Sequence, residues 1–136
     1  MSIGPELTAA LRDFAGVERD IVMLGRSASA ANASELVKVR RDIVLEFAKV
    51  GAALEKDRHL KDHPEQMTQA TRLFAAFRSG NSINQANWPA IRVRDNLKEY
   101  LGASLPVAEA SRAFWTWMDQ HLGFRRGPEL LPATSG

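Results

Sequence analysis

The 136-residue chain contains no cysteine. That removes thiol nucleophiles, zinc ribbons and disulfide frameworks together, and it fits a reducing compartment. No stretch approaches the roughly 18 apolar residues of a membrane span, and Met1-Ser2-Ile3-Gly4-Pro5-Glu6 lacks the basic flank and apolar run of a signal peptide. The expected address is the cytoplasm, with no membrane contact. An excess of one charge is lacking too: 18 Lys and Arg stand against 16 Asp and Glu, a formal net charge of +2, so no steep electrostatic pull toward nucleic acid follows. No segment alternates apolar and polar residues convincingly as a half-buried strand does. A Gly-rich phosphate loop ending in Lys-Ser or Lys-Thr is missing, and so is Gly-x-Ser-x-Gly. Nucleotide hydrolysis and serine-nucleophile chemistry thereby lack their usual equipment. No catalytic residue set emerges, and no cofactor is implied.

What is present is the composition of a folded globular protein, 45% hydrophobic and 25% charged. The apolar residues recur at helical spacing. Leu7, Ala10, Phe14, Val17, Ile21 and Leu24 form one stripe, opened by Pro5 and closed by Gly25. Asn32 and Glu35 have the spacing of a capping box, and Leu36, Val39, Ile43, Phe47, Val50 and Leu54 carry a second stripe with no proline before Pro64. The spacing predicts a second helix of about 30 residues, or about 45 Å at 1.5 Å per residue. A third runs from Pro64 with Met67, Ala70, Phe74 and Phe77 inward and stops at Ser79-Gly80. Asn81 to Asn87 is rich in side chains that compete for backbone hydrogen bonds and predicts a loop. A short fourth helix fits Pro89 to Leu101, and a fifth runs from Ser104-Leu105-Pro106 to Leu122, with Val107, Ala110, Phe114, Trp117 and Met118 inward and Gly123 at its end.

The expectation is an all-α bundle of about five helices: a long antiparallel hairpin with three shorter helices packed on it, one domain over residues 1–126 and a fraying tail over 127–136. Phe14, Ile43, Phe47, Phe74 and Phe114, at the centres of their stripes, are the expected core.

Three groups of residues carry candidate functions. Trp115 and Trp117 are two positions apart and point about 200° apart around a helix. If Trp117 belongs inside with Phe114, Trp115 joins Leu122 and Phe124 in an apolar contact surface for a protein partner or a second copy of the chain. Lys38, Arg40 and Arg41, or Arg92, Arg94 and Lys98, would carry nucleic-acid binding with the last two helices as a helix-turn-helix. They are interleaved with Glu35, Asp42, Asp95 and Glu99, which makes paired surface charges the plainer reading. Glu55, His59 and His63 stand four apart, as metal ligands on one helix face would, although Pro64 disfavours a helical His63. A polar helix end, where the stripe stops after Leu54, explains the same residues without a metal. His121, one turn after Trp117, is suited to a local role at a helix C-terminus. Of these, a protein-interaction domain (adaptor, chaperone or regulator) is the leading expectation. A nucleic-acid-binding regulator and a metal or small-ligand site at the break between the second and third helices are the alternatives.

Overall fold

The computed structural model describes residues 2–26 and 32–126. Residues 27–31, between the first two predicted helices, and the expected tail over 127–136 lie outside the described residues. Among the described residues seven helices follow one another: α1 (Pro5–Arg26), α2 (Ala33–Lys56), α3 (Arg58–Lys61), α4 (Pro64–Asn87), α5 (Ala90–Asp95), α6 (Leu97–Ala103) and α7 (Leu105–Leu122). None of the described residues forms a strand, and no described helix is long and apolar enough to cross a membrane.

The fold is all-α, as expected, but the arrangement is two antiparallel pairs rather than one hairpin with accessories. α1 packs along α2, and α4 along α7. At one end of the first pair, the Gly4 N–H donates to Asp57 Oδ1 beyond the end of α2 at 2.7 Å. In the second, Asn84 late in α4 donates to the Ala103 carbonyl just before α7 at 3.3 Å. α4 and α2 have the same length, 24 residues each.

Steps of three and four along each long helix bring residues into layers. At mid-height Phe14, Phe47, Phe77 and Phe114, one from each long helix, are all fully buried. Ring centroids lie 4.7 Å apart for Phe14 and Phe47, 5.0 Å for Phe47 and Phe77, and 5.9 Å for Phe77 and Phe114. Tilted and edge-on geometry of this kind adds to the area buried. The expected core residues Phe14, Ile43, Phe47, Phe74 and Phe114 are all buried. A second cluster of Leu36, Trp88, Val93 and Tyr100 lies where α5 and α6 close one end of the bundle.

Three element boundaries differ from the sequence expectation. The second helix stops at Lys56 because Asp57 turns to extended backbone (φ −66°, ψ 124°). The Asp57 carboxylate then caps α3 by accepting from the Leu60 N–H at 3.1 Å, while its other oxygen holds Gly4. The predicted fourth helix is split at Asn96 into α5 and α6. Finally, the predicted loop Asn81 to Asn87 is helical, the last two turns of α4. Its polar side chains do not compete with their own backbone here, since Asn84 bonds Ala103 and the Gln85 amide donates to the Arg40 carbonyl at 3.5 Å.

Two glycines separate these readings experimentally. Gly80 lies inside α4 with no atom within 4 Å of where a Cβ would stand. Gly80→Ala is therefore expected to stabilise the fold by about 0.5 to 1 kcal/mol, the cost of glycine in a helix interior. Gly123 caps α7 in the left-handed region at φ 69°, so Gly123→Ala is expected to destabilise by about 1 kcal/mol. Urea melts of the two variants check both signs. A destabilised Gly80→Ala would mean that the helix ends there.

Candidate functional site

One step along each helix from the phenylalanine layer the core changes character. Glu18 follows Phe14 by four residues, Asn81 follows Phe77 by four and Ser111 precedes Phe114 by three, with Ile43 completing the layer. Glu18, Asn81 and Ser111 are all buried. The Glu18 carboxylate is held by three donors: Ser111 Oγ donates to Oε2, Trp115 Nε1 donates to Oε1 at 2.8 Å, and Arg126 Nη1 donates to Oε1 at 2.9 Å. The Arg126 guanidinium also lies over the Trp115 ring, 5.5 Å from its centroid. A buried carboxylate is tolerated only when paired and hydrogen-bonded in this way. α1 and α7 are thus joined by a polar clasp, whereas α1 with α2 and α4 with α7 pack closely along their lengths.

Beside the clasp, α1, α4, α6 and α7, with Ile43 of α2, line a half-open cavity of about 200 Å³. Its walls are largely apolar, with Ile21 and Val22 from α1 and Val107 from α7, and Glu18, Asn81 and Ser111 stand at one end. Arg26 and Tyr100 line it as well. Small residues open the space: Gly25 faces the Tyr100 ring, where a Cβ would lie 3.4 Å from Cε2, and Ala108 and Ser111 line α7. Within the described residues Asn81 Nδ2 and Arg26 Nη2 are buried donors with no hydrogen-bond partner. Buried polar atoms are nearly always paired in folded proteins, so each unpaired one calls for an explanation. An apolar space with a few polar groups at defined positions is the usual form of a small-ligand pocket.

The expected contact surface of Trp115, Leu122 and Phe124 is corrected. All three are buried, at 4%, 6% and 5% exposure. Trp115 packs on Phe14, Phe114 and Phe124, and its indole N–H is part of the clasp. Trp117 is the flanking tryptophan, half-buried and stacked on His121 with centroids 5.0 Å apart.

The expected metal set of Glu55, His59 and His63 is corrected too. α2 ends between Glu55 and His59, and His63 stands outside the helices as the cap of α4. The two imidazoles stack at 4.2 Å, with His59 Nε2 bonded to Gln66 Oε1 at 2.8 Å and His63 Nδ1 donating to the His59 carbonyl at 2.7 Å. Among the described residues no group of three His, Cys, Asp or Glu gathers for a metal.

The basic residues Arg40, Arg41, Arg92, Arg94 and Lys98 do not form one open surface. Arg40 is buried, donating from Nη1 to the Trp88 carbonyl with its guanidinium 5.8 Å from the Tyr100 centroid. Arg92 stacks 3.9 Å above the Trp88 ring and donates to the Asn87 carbonyl. Arg94 pairs with its neighbour Asp95 at 2.8 Å. That hydrogen bond holds the Asp95 carboxyl below its ordinary range and raises the guanidinium above its own. Arg41 and Lys98 are exposed.

The sequence expectation missed Glu18, Asn81 and Ser111 because it followed apolar residues alone. The available signal was that Leu7, Leu11, Phe14 and Glu18 keep helical phase, so an acid stands where the next core residue belongs. No family model matches the chain, and no curated protein and no solved structure matches it.

Proposed function

We propose that this chain is a binding domain and that the cavity between α1 and α7 receives a small, mainly apolar molecule. The observation that carries this reading is the cavity of about 200 Å³, with an unpaired, buried Asn81 on its wall. Binding fits better than catalysis because both oxygens of Glu18, the one acid on the wall, are engaged by Ser111, Trp115 and Arg126. A carboxylate so clasped anchors structure rather than shuttling protons.

Native mass spectrometry of the protein purified from its own host tests the reading, alongside Ala108→Trp, which places an indole in the cavity. A small molecule retained by the parent and lost from a folded Ala108→Trp variant is the expected result. Ligand at about 100 times its Kd should also stabilise the parent by about 2.7 kcal/mol. No retained mass, together with apolar probes whose NMR shifts fall outside the cavity residues, would overturn it.

A second reading, a protein-interaction domain with self-association as one form of it, is favoured by a different surface. Val37, Val44 and Leu45 lie seven and eight residues apart on α2 and are 45%, 45% and 56% exposed, an apolar stripe on one helix face. Leu45→Glu is expected to change stability by no more than about 0.5 kcal/mol while releasing any partner, including a second copy, seen by light scattering with the parent. Unchanged association of that variant would remove the stripe from consideration.

A further inference from the structure

We propose that the cavity's ligand is a small organic anion, a carboxylate on an apolar chain that carries a hydroxyl oxygen at its far end. This rests on the reading that the cavity is a ligand site.

The charge comes from the walls. Four arginines, Arg19, Arg26, Arg112 and Arg126, line the cavity with one acid, Glu18. The acid is neutralised within the protein by Arg126, and Arg19 and Arg26 add positive charge to the wall, so the field favours a negative ligand. Arg26 is the residue placed to take the carboxylate, since its Nη2 is buried without a partner and a guanidinium matches carboxylate geometry.

The length comes from the helix. Arg26 lies eight residues beyond Glu18 on α1, which is about 12 Å at 1.5 Å per residue. Between them the walls are Ile21, Val22 and Val107, suited to an extended hydrocarbon. At the Glu18 end stands Asn81, 8% exposed, with Nδ2 unpaired. Its amide satisfies a hydroxyl whichever way it is turned, because a hydroxyl both donates and accepts. A second carboxylate at that end would meet Glu18, which restricts the ligand to a single charge. The volume of about 200 Å³ exceeds the roughly 150 Å³ that holds benzene in an engineered apolar cavity, so a body of about eight carbons is the appropriate size.

Titration calorimetry with four compounds of one chain length tests this: 8-hydroxyoctanoate, octanoate, 1-octanol and octylammonium. The expected order is 8-hydroxyoctanoate tightest, octanoate next and about tenfold tighter than 1-octanol, with octylammonium weakest; tenfold corresponds to one charge-assisted hydrogen bond. Arg26→Gln should bring octanoate to the level of 1-octanol, and Asn81→Leu should erase the advantage of the terminal hydroxyl, both in variants whose melts show a folded protein. Octylammonium or 1-octanol binding as tightly as octanoate would overturn the anion assignment while leaving the cavity a ligand site. Equal affinity for octanoate and 8-hydroxyoctanoate would overturn the hydroxyl assignment. Binding of none of the four, with no shift at cavity residues, would overturn the ligand-site reading as well.

Discussion

Trp115→Ala is expected to destabilise the protein by about 4 kcal/mol, near the middle of the range for truncating a large core aromatic. Trp115 is 4% exposed and touches Phe14, Phe114 and Phe124, so its removal opens a void at the centre of the α1 to α7 contact. Trp115→Phe keeps most of the packing and loses only the 2.8 Å hydrogen bond to Glu18. It should cost about 1.5 to 3 kcal/mol, the scale of a hydrogen bond to a charged group. Equilibrium unfolding in urea on both variants separates packing from hydrogen bonding. A Trp115→Ala variant as stable as the parent would return this residue to the surface and remove the clasp.

Arg126→Met should cost about 3 kcal/mol, although Arg126 sits beyond the last helix. The Arg126 and Glu18 side chains are 17% and 11% exposed, and removing one partner of a shielded pair leaves the other charge with little compensation. Their partial exposure is the reason for the lower end of the usual range. The penalty belongs to the stranded carboxylate, so neutralising it should recover part of the loss. Glu18→Gln combined with Arg126→Met is expected to be more stable than Arg126→Met alone by about 1 kcal/mol, because the amide oxygen still accepts from Trp115 or Ser111. A double-mutant cycle in urea measures this. Additive losses would show that Glu18 and Arg126 do not act as a pair.

Much of the fold was legible in the chain. The 3,4 spacing located all four long helices, and Pro5, Pro64 and Gly123 marked ends that the structure keeps. Centres of stripes were secure: Phe14, Ile43, Phe47, Phe74 and Phe114 are each inside. Element ends set by tertiary bonds were not. Asp57 ends α2 because its carboxylate serves Leu60 and Gly4, the latter 53 residues away. α4 continues through Asn81 to Asn87 because its amides bond other helices. The bond to Gly4 and the amide bonds of α4 leave no local signature, whereas the Asp57 cap of Leu60 is a local N-cap that a search for apolar stripes passes over.

The sequence by itself determined the class of structure, since a chain with helical periodicity and no strand alternation buries its apolar residues by packing helix on helix. It also determined that the inward stripe of each long helix crosses the phenylalanine layer. What only the tertiary structure decided is which of two adjacent steps turns inward. In α1 the choice lay between Ala10, Val17 and Leu24 on one side and Leu11, Glu18 and Gly25 on the other; in α7 it lay between Ala110 and Trp117 or Ser111, Trp115 and Leu122. Counting apolar residues favours the first option in α1 and is level in α7, and the second is buried in both. Glu18 alone would be too costly to bury, and Ser111 alone would gain nothing from it. Brought together across the α1 to α7 gap, with Trp115 and Arg126, they satisfy one another. That pairing places Glu18, Ser111 and Trp115 inside, keeps Val17 and Trp117 at the flanks of the core, and leaves the cavity beside the clasp.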